Sequence, residues 1–404
     1  PEITTLTTKP DAVEEGSPLV LDGTFSDIGS RDTHTATIDW GDGTTSNVAA
    51  AGGLFNGEHT YVDSGVYTIA VTLTDDDGGS STSQINVTIG NSIPTLSDLT
   101  ITSPIFENGL ATVTGRVVDA GIRDTHTVSV NWGDGSAASI IQLAAGETTF
   151  TATHRYLDDN PTGTPQDIYP VTVSVVDNEN SGSQQQLDVT VQNVAPQITT
   201  LATKPDAVEE GSPLVLDGTF SDIGSRDTHS ATINWGDGSS SNVSAGGGLF
   251  SGEHTYADSG VYTIAVTLTD DDGGSSTSQI DVTIGNSIPT LTDLTITSPI
   301  FENGLATVTG RVVDAGIRDT HTVSVNWGDG SAASIIQLAA GETTFTATHR
   351  YLDDNPTGTP QDIYPVTVSV VDNENSGSQQ QLDVTVQNVA PQITTLATKP
   401  DAVE

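Results

Sequence analysis

Cysteine and methionine are absent from the 404 residues of this chain. Without cysteine, the chain has no disulfide framework, no thiolate metal site and no thiol nucleophile. Basic residues are scarce as well, since 11 lysines and arginines face 53 aspartates and glutamates, and the net charge is -42. Such a charge repels nucleic acid phosphates and anionic lipid head groups, so we expect neither as a partner, whereas it favours cations.

Long apolar runs are also missing, because no stretch approaches the roughly 18 residues needed to cross a bilayer. We therefore expect no membrane insertion within this sequence. Hydrophobic residues make up 34% and aromatic residues 5% of the chain, a composition that suits thin all-β units better than one large core. Small units without disulfides need another stabilising element, and the abundant carboxylates are the hard oxygen ligands that calcium prefers.

The chain repeats itself with a period of 195 residues, since the segment that starts at Pro1 starts again at Pro196 and Pro391. Within each period Trp-Gly-Asp-Gly occurs twice, beginning at Trp40, Trp132, Trp235 and Trp327. This pattern predicts modules of two alternating types, the second with longer loops: 1–93 (type 1), 94–195 (type 2), 196–288 (type 1), 289–390 (type 2), and 391–404 as the first strand of a truncated fifth module. We expect the sequence to be a window on a longer repetitive protein.

Apolar and polar residues alternate along residues 67–74 and 84–89, and again along 171–175 and 187–191, with β-branched residues dominating. This alternation predicts half-buried β-strands. Short strands separated by Gly, Asp, Asn and Pro in modules of about 100 residues indicate two antiparallel sheets packed face to face. Residues 63–67 are typical of the corner before an immunoglobulin-type strand F, where a Tyr hydroxyl bonds to backbone.

Three motifs of the first module, at residues 40–43 (Trp-Gly-Asp-Gly), 59–61 (His-Thr-Tyr) and 63–68 (Asp-Ser-Gly-Val-Tyr-Thr), together resemble the polycystic-kidney-disease-type (PKD) module. The resemblance implies an all-β fold of tandem immunoglobulin-like β-sandwiches that form an extended rod. It also implies non-catalytic roles in extracellular arrays, surface adhesins and surface layers, or as spacers in secreted hydrolases. The type 2 module departs from the pattern through an insertion at residues 158–165.

Several residues invite a chemical interpretation that the pattern does not favour. Trp40 would suit a sugar-binding platform if exposed, but a core position beside a tight Gly turn is the favoured interpretation. His34 and His59 have no His or Cys at ligand spacing and are predicted to be structural. Acidic pairs such as Asp27 and Asp32 recur in near-equivalent copies, which lack the differentiated environments that two-carboxylate catalysis needs. The chain is therefore predicted not to be an enzyme.

The positions of the acidic residues on the predicted sandwich indicate which of them lie close together. Strands B, C, F and G alternate in direction, so the B–C and F–G loops should emerge at one end of a module and the turn before strand B, the E–F corner and the outgoing linker at the other. Joining modules head to tail then brings two acidic ends together. The candidate cation ligands at the first junction are Glu14, Glu15, Asp63, Asn91, Asp119, Asp124, Asp177 and Glu179; those at the second are Glu107, Asn193, Asp222, Asp227, Asp270 and Asp272; and those at the open end of the first module are Asp27, Asp32, Asp75 and Asp77.

Crowded carboxylates repel one another unless a cation neutralises them, and calcium takes about six to eight oxygens at about 2.3–2.6 Å. The segment 105–109 (Ile-Phe-Glu-Asn-Gly) also resembles the acidic strand-start motif of cadherin-type repeats. We therefore predict calcium ions that rigidify the module junctions. Two alternatives remain at this point: the acidic loops are simply solvated turns, or the acidity is an adaptation to salt.

These expectations combine into a function. We predict a non-catalytic structural or adhesive protein of the extracellular space or cell surface, of bacterial origin, that forms a fibre, stalk or surface-layer component. Its expected partners are calcium, further copies of itself in a filament or array, and glycans or another cell surface. The alternative is a carbohydrate-binding or spacer array of a secreted polysaccharide hydrolase.

Overall fold

A computed structural model describes residues 1–159, 163–354 and 357–397, and every regular element in these ranges is a β-strand. None of the described residues forms a helix that could span a membrane. The chain divides into two compact units, one made of Pro1–Val194, Ile223–Asp227 and Asp271–Gly274, the other of Ala195–Asp222, Thr228–Asp270 and Ser275–Glu404.

The strands follow the repeat of the sequence. The first module contains β1 (Glu2–Lys9), β2 (Val13–Glu14), β3 (Pro18–Ser26), β4 (His34–Asp39), β5 (Thr45–Ala50), β6 (Leu54–Thr60), β7 (Gly65–Asp75) and β8 (Ser80–Gly90). The second contains β9 (Thr95–Ile101), β10 (Ile105–Phe106), β11 (Leu110–Val118), β12 (His126–Asn131), β13 (Ser139–Leu143), β14 (Thr149–Arg155), β15 (Gln166–Asp177) and β16 (Gly182–Gln192).

The other two modules repeat this order. The third contains β17 (Gln197–Lys204), β18 (Val208–Glu209), β19 (Pro213–Ser221), β20 (His229–Asn234), β21 (Ser240–Ala245), β22 (Leu249–Thr255), β23 (Gly260–Asp270) and β24 (Ser275–Gly285). The fourth contains β25 (Thr290–Ile296), β26 (Ile300–Phe301), β27 (Gly304–Val313), β28 (His321–Asn326), β29 (Ser334–Leu338), β30 (Thr344–Tyr351), β31 (Gln361–Val371) and β32 (Gly377–Gln387).

Each module is a sandwich of a three-stranded and a five-stranded sheet. In the first module the orders are β1-β3-β6 and β2-β8-β7-β4-β5, and the other three modules have the equivalent orders. Short β2 runs parallel to β8, whereas the other pairs are antiparallel. This is the immunoglobulin-like arrangement A-B-E against A′-G-F-C-C′. The predicted fold class is confirmed, and the expected extended rod stays a prediction.

The alternation of apolar and polar residues along the strands determines which side chains form the hydrophobic core. Along β7, Ile69, Val71 and Leu73 are fully buried, and Ala70 and Thr72 between them lie on the outer face of the sheet. Trp40 follows strand β4, is fully buried, and joins these residues in one hydrophobic cluster. The other modules have equivalent clusters around Trp132, Trp235 and Trp327. The alternating pattern of the sequence is thus the pattern of core and surface.

The loops emerge at the predicted ends of the first module. At one end the Thr33 N–H donates to Asp76 Oδ1 at 3.0 Å, which ties the β3–β4 loop to the β7–β8 loop. At the other end the Glu15 N–H donates to the Gly90 carbonyl at 2.9 Å, so the turn before β3 adjoins the outgoing linker. The alternating strand directions account for both contacts.

Residues 391–397 form no strand, and residues 398–404 lie outside the described part of the chain. The repeat predicts the first strand of a further module for the whole segment. A strand is defined by hydrogen bonds to a neighbour, and among the described residues this segment pairs with none. Ile393 and Leu396 are consequently 80% and 90% exposed, although their counterparts Ile198 and Leu201 pack against the third module's core.

Candidate metal centre at the module junctions

The first junction is the short segment Asn91–Pro94, which connects β8 of the first module to β9 of the second. Asn91 anchors it, because its side-chain Nδ2 donates to Asp177 Oδ2 at 2.8 Å and to Ser181 Oγ at 2.9 Å. Ser183 Oγ donates to the Pro94 carbonyl at 2.7 Å. The linker is therefore held directly by the β15–β16 end of the second module.

Ser92 connects carboxylates of both modules. Its N–H donates to Glu15 Oε1 at 2.9 Å, and its hydroxyl donates to Asp119 Oδ1 at 2.5 Å. The other oxygen of Asp119 lies 2.8 Å from His126 Nε2. Glu15 and Asp119 thus reach the junction from opposite modules, and each has one oxygen engaged by the linker.

Two glycines permit the modules to approach this closely. Gly16 has a φ of +72°, and a Cβ there would lie 2.6 Å from the Cβ of Ala120. A Cβ on Gly121 would lie 2.3 Å from Asp124 Oδ2 and 2.8 Å from Glu15 Cδ. Any larger residue at position 121 would therefore displace the acidic side chains.

Glu15, Asp63 and Asp124 form a cluster in which one carboxylate oxygen of each residue lies within 4.8 Å of the other two. Glu15 and Asp124 are each only 1% exposed, and Asp63 is half-buried. Glu15 Oε2 and both oxygens of Asp124 are buried without a hydrogen-bond partner, as is Asn91 Oδ1 on the adjoining linker. Buried carboxylate oxygens normally have partners, so these atoms are the unusual feature of the junction.

The electrostatics of the cluster reflect this crowding. Burial, followed by the nearby carboxylates of Glu15 and Glu179, raises the pKa of Asp124 from 3.8 to about 7. Burial and the neighbouring Asp177 likewise raise the pKa of Glu179. Both shifts show that negative charge is unfavourable here in the absence of a cation.

The third junction, between the third and fourth modules, repeats this arrangement inside the other compact unit. Glu210 and Asp319 are each 1% exposed, and Glu210 Oε2, both Asp319 oxygens and Asn286 Oδ1 are unpaired. The Ser287 N–H donates to Glu210 Oε1 at 2.8 Å, and the Ser287 hydroxyl donates to Asp314 Oδ1 at 2.5 Å. Burial and Glu210 raise the pKa of Asp319 to about 7.

The donor set at these junctions fits a calcium-like cation. It consists of carboxylate and amide oxygens, the ligand atoms that calcium prefers, and their unpaired state leaves lone pairs for an ion. A cation would also offset the burial and the repulsion that together raise the pKa of Asp124. In the first junction the residues available for binding are Glu15, Asp63, Asn91 and Asp124.

A second arrangement occurs in every module around the Trp-Gly-Asp-Gly turn. In the third module, Trp235 is fully buried, stacks on His254 at 4.9 Å between ring centroids, and donates from Nε1 to Ser241 Oγ at 2.9 Å. His254 Nε2 lies 2.8 Å from Asp237 Oδ2. The predicted core position of the tryptophans is confirmed, so these rings offer no platform to a sugar.

Comparison with protein families decides what the type 1 modules are. The family model of the PKD domain matches residues 1–89 and 193–284. These two segments are PKD domains. The matched segments end at Ile89 in β8 and at Ile284 in β24, so in each the match covers both sheets of the sandwich.

Solved structures of tandem domains overlay loosely on the chain. The ICAM-5 D1–D4 ectodomain fragment is 15% identical, with 95% of this chain and 99% of that chain covered and a TM-score of 0.36. Sidekick-1 immunoglobulin domains 1–5 are 12% identical, with 94% and 78% covered and a TM-score of 0.32. The BSP domain of a biofilm associated protein is 10% identical, with 96% and 97% covered and a TM-score of 0.21. No curated protein matches the sequence.

The open end of the first PKD domain gathers four of the predicted ligands. Oxygens of Asp27, Asp32 and Asp75 lie within 4.8 Å of one another, and Asp32 also groups with Asp76 and Asp77. Asp32 occupies the position of Asp124 in the repeat, yet it is half-buried rather than 1% exposed. The difference arises because Glu15 of the preceding module covers Asp124.

Glu14, unlike the adjacent Glu15, has an exposed side chain. It lies on β2, where Val13 faces the core and Glu14 is exposed. Its side chain packs near Gly90 on the outside of the PKD domain. The two-residue period of the strand accounts for this orientation.

The six ligands predicted at the second junction belong to a connection between the two compact units. Within its own unit Glu107 is buried and its Oε1 accepts the Val194 N–H at 2.6 Å, much as Glu15 accepts Ser92. Asp222 lies 2.7 Å from His229 Nε2 in the second PKD domain. The predicted grouping of Glu107, Asn193, Asp222, Asp227, Asp270 and Asp272 stays a prediction.

Sequence reasoning missed three contributors to the first junction. Ser92 holds both Glu15 and Asp119, His126 engages Asp119, and Gly121 leaves room for the carboxylates. The recurrence of Ser287, His321 and Gly316 at the same repeat positions was the available signal. Small and neutral residues beside an acidic cluster carry no obvious chemistry of their own, which is why the signal was weak.

The contact between Asp237 and His254 predicts that the stability of the third module depends on pH. Burial alone would raise its pKa, but hydrogen bonds from the Ser239 hydroxyl and N–H, with His254, outweigh burial and lower the pKa of Asp237 to about 2. A lowered pKa in the folded state stabilises the fold above the ordinary value of 3.8, and this contribution is lost as the pH falls towards 2. We expect Asp237→Asn to be less stable than wild type at pH 6 and to approach it near pH 2.5.

Urea denaturation at a series of pH values measures this effect. The exposed Asp206→Asn substitution removes the same charge from the same PKD domain and is the control. An equal stability deficit of Asp237→Asn at pH 6 and at pH 2.5 would contradict the explanation.

Proposed function

We propose that the chain is a non-catalytic structural or adhesive component of an extracellular or cell-surface array, in which calcium ions at the module junctions fix each module against the next. The observation that carries this proposal is the pair of buried carboxylates at both the first and the third junction, of which the aspartate has two unpaired oxygens and the glutamate one. The PKD domains and the tandem immunoglobulin-like fold support an extracellular repeat role.

Energetics favour a cation over an empty acidic pocket. An isolated buried carboxylate costs several kcal/mol unless it is paired, and Asp124 has no paired oxygen. The cost recurs at Asp319, so it is a property of the repeat rather than of one loop. Calcium compensates it and at the same time links two modules, because Glu15 and Asp124 belong to different sandwiches.

A structural role also agrees with how the other polar groups are used. Each histidine of the Trp-His-Asp arrangement contacts one Asp, and the same contact recurs in all four modules at 2.7 or 2.8 Å. Near-identical environments provide no separate acid and base. The buried tryptophans do not favour the alternative of a carbohydrate-binding array. Expected partners are calcium, further copies of the chain in a filament or array, and glycans or another cell surface.

Small-angle scattering of the full chain tests the proposal. With the chelator EGTA, we expect a broad distribution of intramolecular distances, because the modules pivot about their short linkers. Millimolar calcium should narrow this distribution, since extracellular calcium modules bind at about 0.1–1 mM. Sodium at matched ionic strength is the control, because screening alone does not distinguish divalent ions. Identical curves with and without calcium would refute calcium-dependent rigidification.

A further inference from the structure

The cluster Glu15, Asp63 and Asp124 is built from both sides of the first junction. Glu15 lies in the turn before β3 and Asp63 at the corner before β7, whereas Asp124 lies in the β11–β12 loop of the next module. Glu15 and Asp124 are nine-tenths buried or more, Glu15 Oε2 and both Asp124 oxygens have no hydrogen-bond partner, and one oxygen of each of the three residues lies within 4.8 Å of the other two. Neither module contains the complete cluster by itself.

We propose that the first and third junctions are composite, size-selective sites for one calcium-sized cation each, which exist only where a type 1 module docks on the following type 2 module. The inference rests on the proposed function and specifies the ion that the junction takes. The ligands are Glu15, Asp63 and Asp124 at the first junction and Glu210, Asp258 and Asp319 at the third.

Size selection follows from how firmly the ligands are held. Ser92 fixes Glu15 Oε1, and Tyr67 donates its hydroxyl to the Asp63 carbonyl at 2.9 Å, which holds that corner. Opposite oxygens around calcium stand about 5 Å apart, since each bond is about 2.3–2.6 Å. Magnesium needs near-octahedral geometry with bonds of about 2.0–2.1 Å and gives up its waters reluctantly, so a largely buried cluster of three carboxylates suits it poorly.

The ligand chemistry selects against zinc as well. Zinc favours nitrogen or sulfur in a tetrahedral set, whereas this cluster consists of carboxylates. His126 at this junction contacts Asp119 through its Nε2 at 2.8 Å, and Asp119 is not one of the three proposed ligands. Trivalent lanthanides, in contrast, are hard oxygen-binding ions of calcium's size, and three carboxylates balance their charge.

A tyrosine beside the cluster provides a direct readout. Tyr67 contacts the Asp63 backbone and stacks on Tyr61 with ring centroids 4.3 Å apart. Tyr262 and Asp258 repeat this contact at 2.9 Å in the third module. Terbium bound at either junction should therefore emit when tyrosine is excited. The Tyr67→Phe, Tyr262→Phe variant should emit less for each terbium ion that it binds.

The experiment titrates the full chain with terbium and then competes the ion off. We expect calcium to displace terbium, and magnesium or zinc at the same concentration to leave most of the emission. Glu15→Gln with Glu210→Gln, which preserves shape, should weaken terbium binding at these junctions at least tenfold. Glu58→Gln with Glu253→Gln removes the same charge from exposed positions on β6 and β22 and should leave binding unchanged.

A double-mutant comparison tests whether the site is composite. Because Glu15 and Asp124 would bind the same ion from two modules, adding Asp124→Asn and Asp319→Asn to the glutamine pair should lose no further ions. Independent, additive losses of bound ions would overturn the composite site, as would unchanged binding in the glutamine pair or displacement by magnesium as efficient as by calcium.

The scattering and terbium results separate the two proposals. Terbium binding at the junctions without any change in scattering would reject rigidification and keep the composite site. A calcium-dependent scattering change that survives Glu15→Gln with Glu210→Gln would reject the composite site and keep rigidification.

Discussion

The Asp124→Asn, Asp319→Asn double variant should be more stable than wild type without calcium and less stable than wild type with it. Both aspartates are 1% exposed, and all four of their carboxylate oxygens are unpaired. Without a cation, asparagine removes two buried charges, and its amide can donate to the adjacent glutamate, Glu15 or Glu210. Relief of an uncompensated buried polar group is worth about 1–3 kcal/mol per junction.

With calcium, wild type should instead be more stable than the double variant. At about 10 mM free calcium and a Kd of about 0.1–1 mM, each wild-type junction gains about 1.4–2.7 kcal/mol, because the ion binds the folded state only. The double variant lacks one charged ligand at each junction, so calcium should raise its free energy of unfolding only slightly. The reversal therefore depends on the ion rather than on a general change in folding.

Differential scanning calorimetry at pH 8, with EGTA or with calcium, measures both halves of this prediction. The Glu58→Gln, Glu253→Gln variant lowers the net charge equally at exposed positions and should follow wild type in both conditions. A double variant that melts below wild type in EGTA, or that responds to calcium as strongly as wild type, would contradict the assignment.

Trp235→Ala should destabilise the third module by about 3–5 kcal/mol. The side chain is fully buried, stacks on His254, and its Nε1 donates to Ser241. Truncation leaves a cavity in the core and an unpaired Ser241 hydroxyl. Small domains are stable by about 5–15 kcal/mol, so the module should become marginal.

In a tandem array this loss should remain local, because each module contacts chiefly its neighbours in sequence. Calorimetry should show one transition moved to lower temperature and the remainder little changed. Trp235→Phe is the matched variant. Phenylalanine fills much of the cavity, so this substitution should destabilise the module less than Trp235→Ala does. A Trp235→Ala melting profile that coincides with wild type would contradict the core assignment.

Much of the fold could be predicted because its signals are local. The alternation along β7 identifies which residues face the core, and β4 ends at Asp39, just before Trp40 and the turn that contains Gly41 and Gly43. The Tyr67 hydroxyl donates to the Asp63 carbonyl at 2.9 Å, as the corner motif predicts. These features depend on a two-residue period and on short-range backbone geometry, both of which are visible in one sequence.

The junction was less predictable because its contacts connect distant residues. Asp32 and Asp124 stand at equivalent repeat positions, yet only Asp124 is closed off from solvent. Strand direction predicts which loops share an end of a module, but the parts played by Ser92, His126 and Gly121 depend on distances between two modules. Glu14 lies on β2 with its side chain exposed, whereas Glu15, directly after the strand, is 1% exposed.

The sequence alone determined that this chain is a series of all-β modules with acidic ends, because hydrophobic period, turn chemistry and charge are properties of local segments. Tertiary structure decided which carboxylates lose water and partners together. Gly16 packs against Ala120, and this docking of two sandwiches buries Glu15 and Asp124 side by side. Desolvation depends on what covers a residue, and for these carboxylates the cover comes from another module.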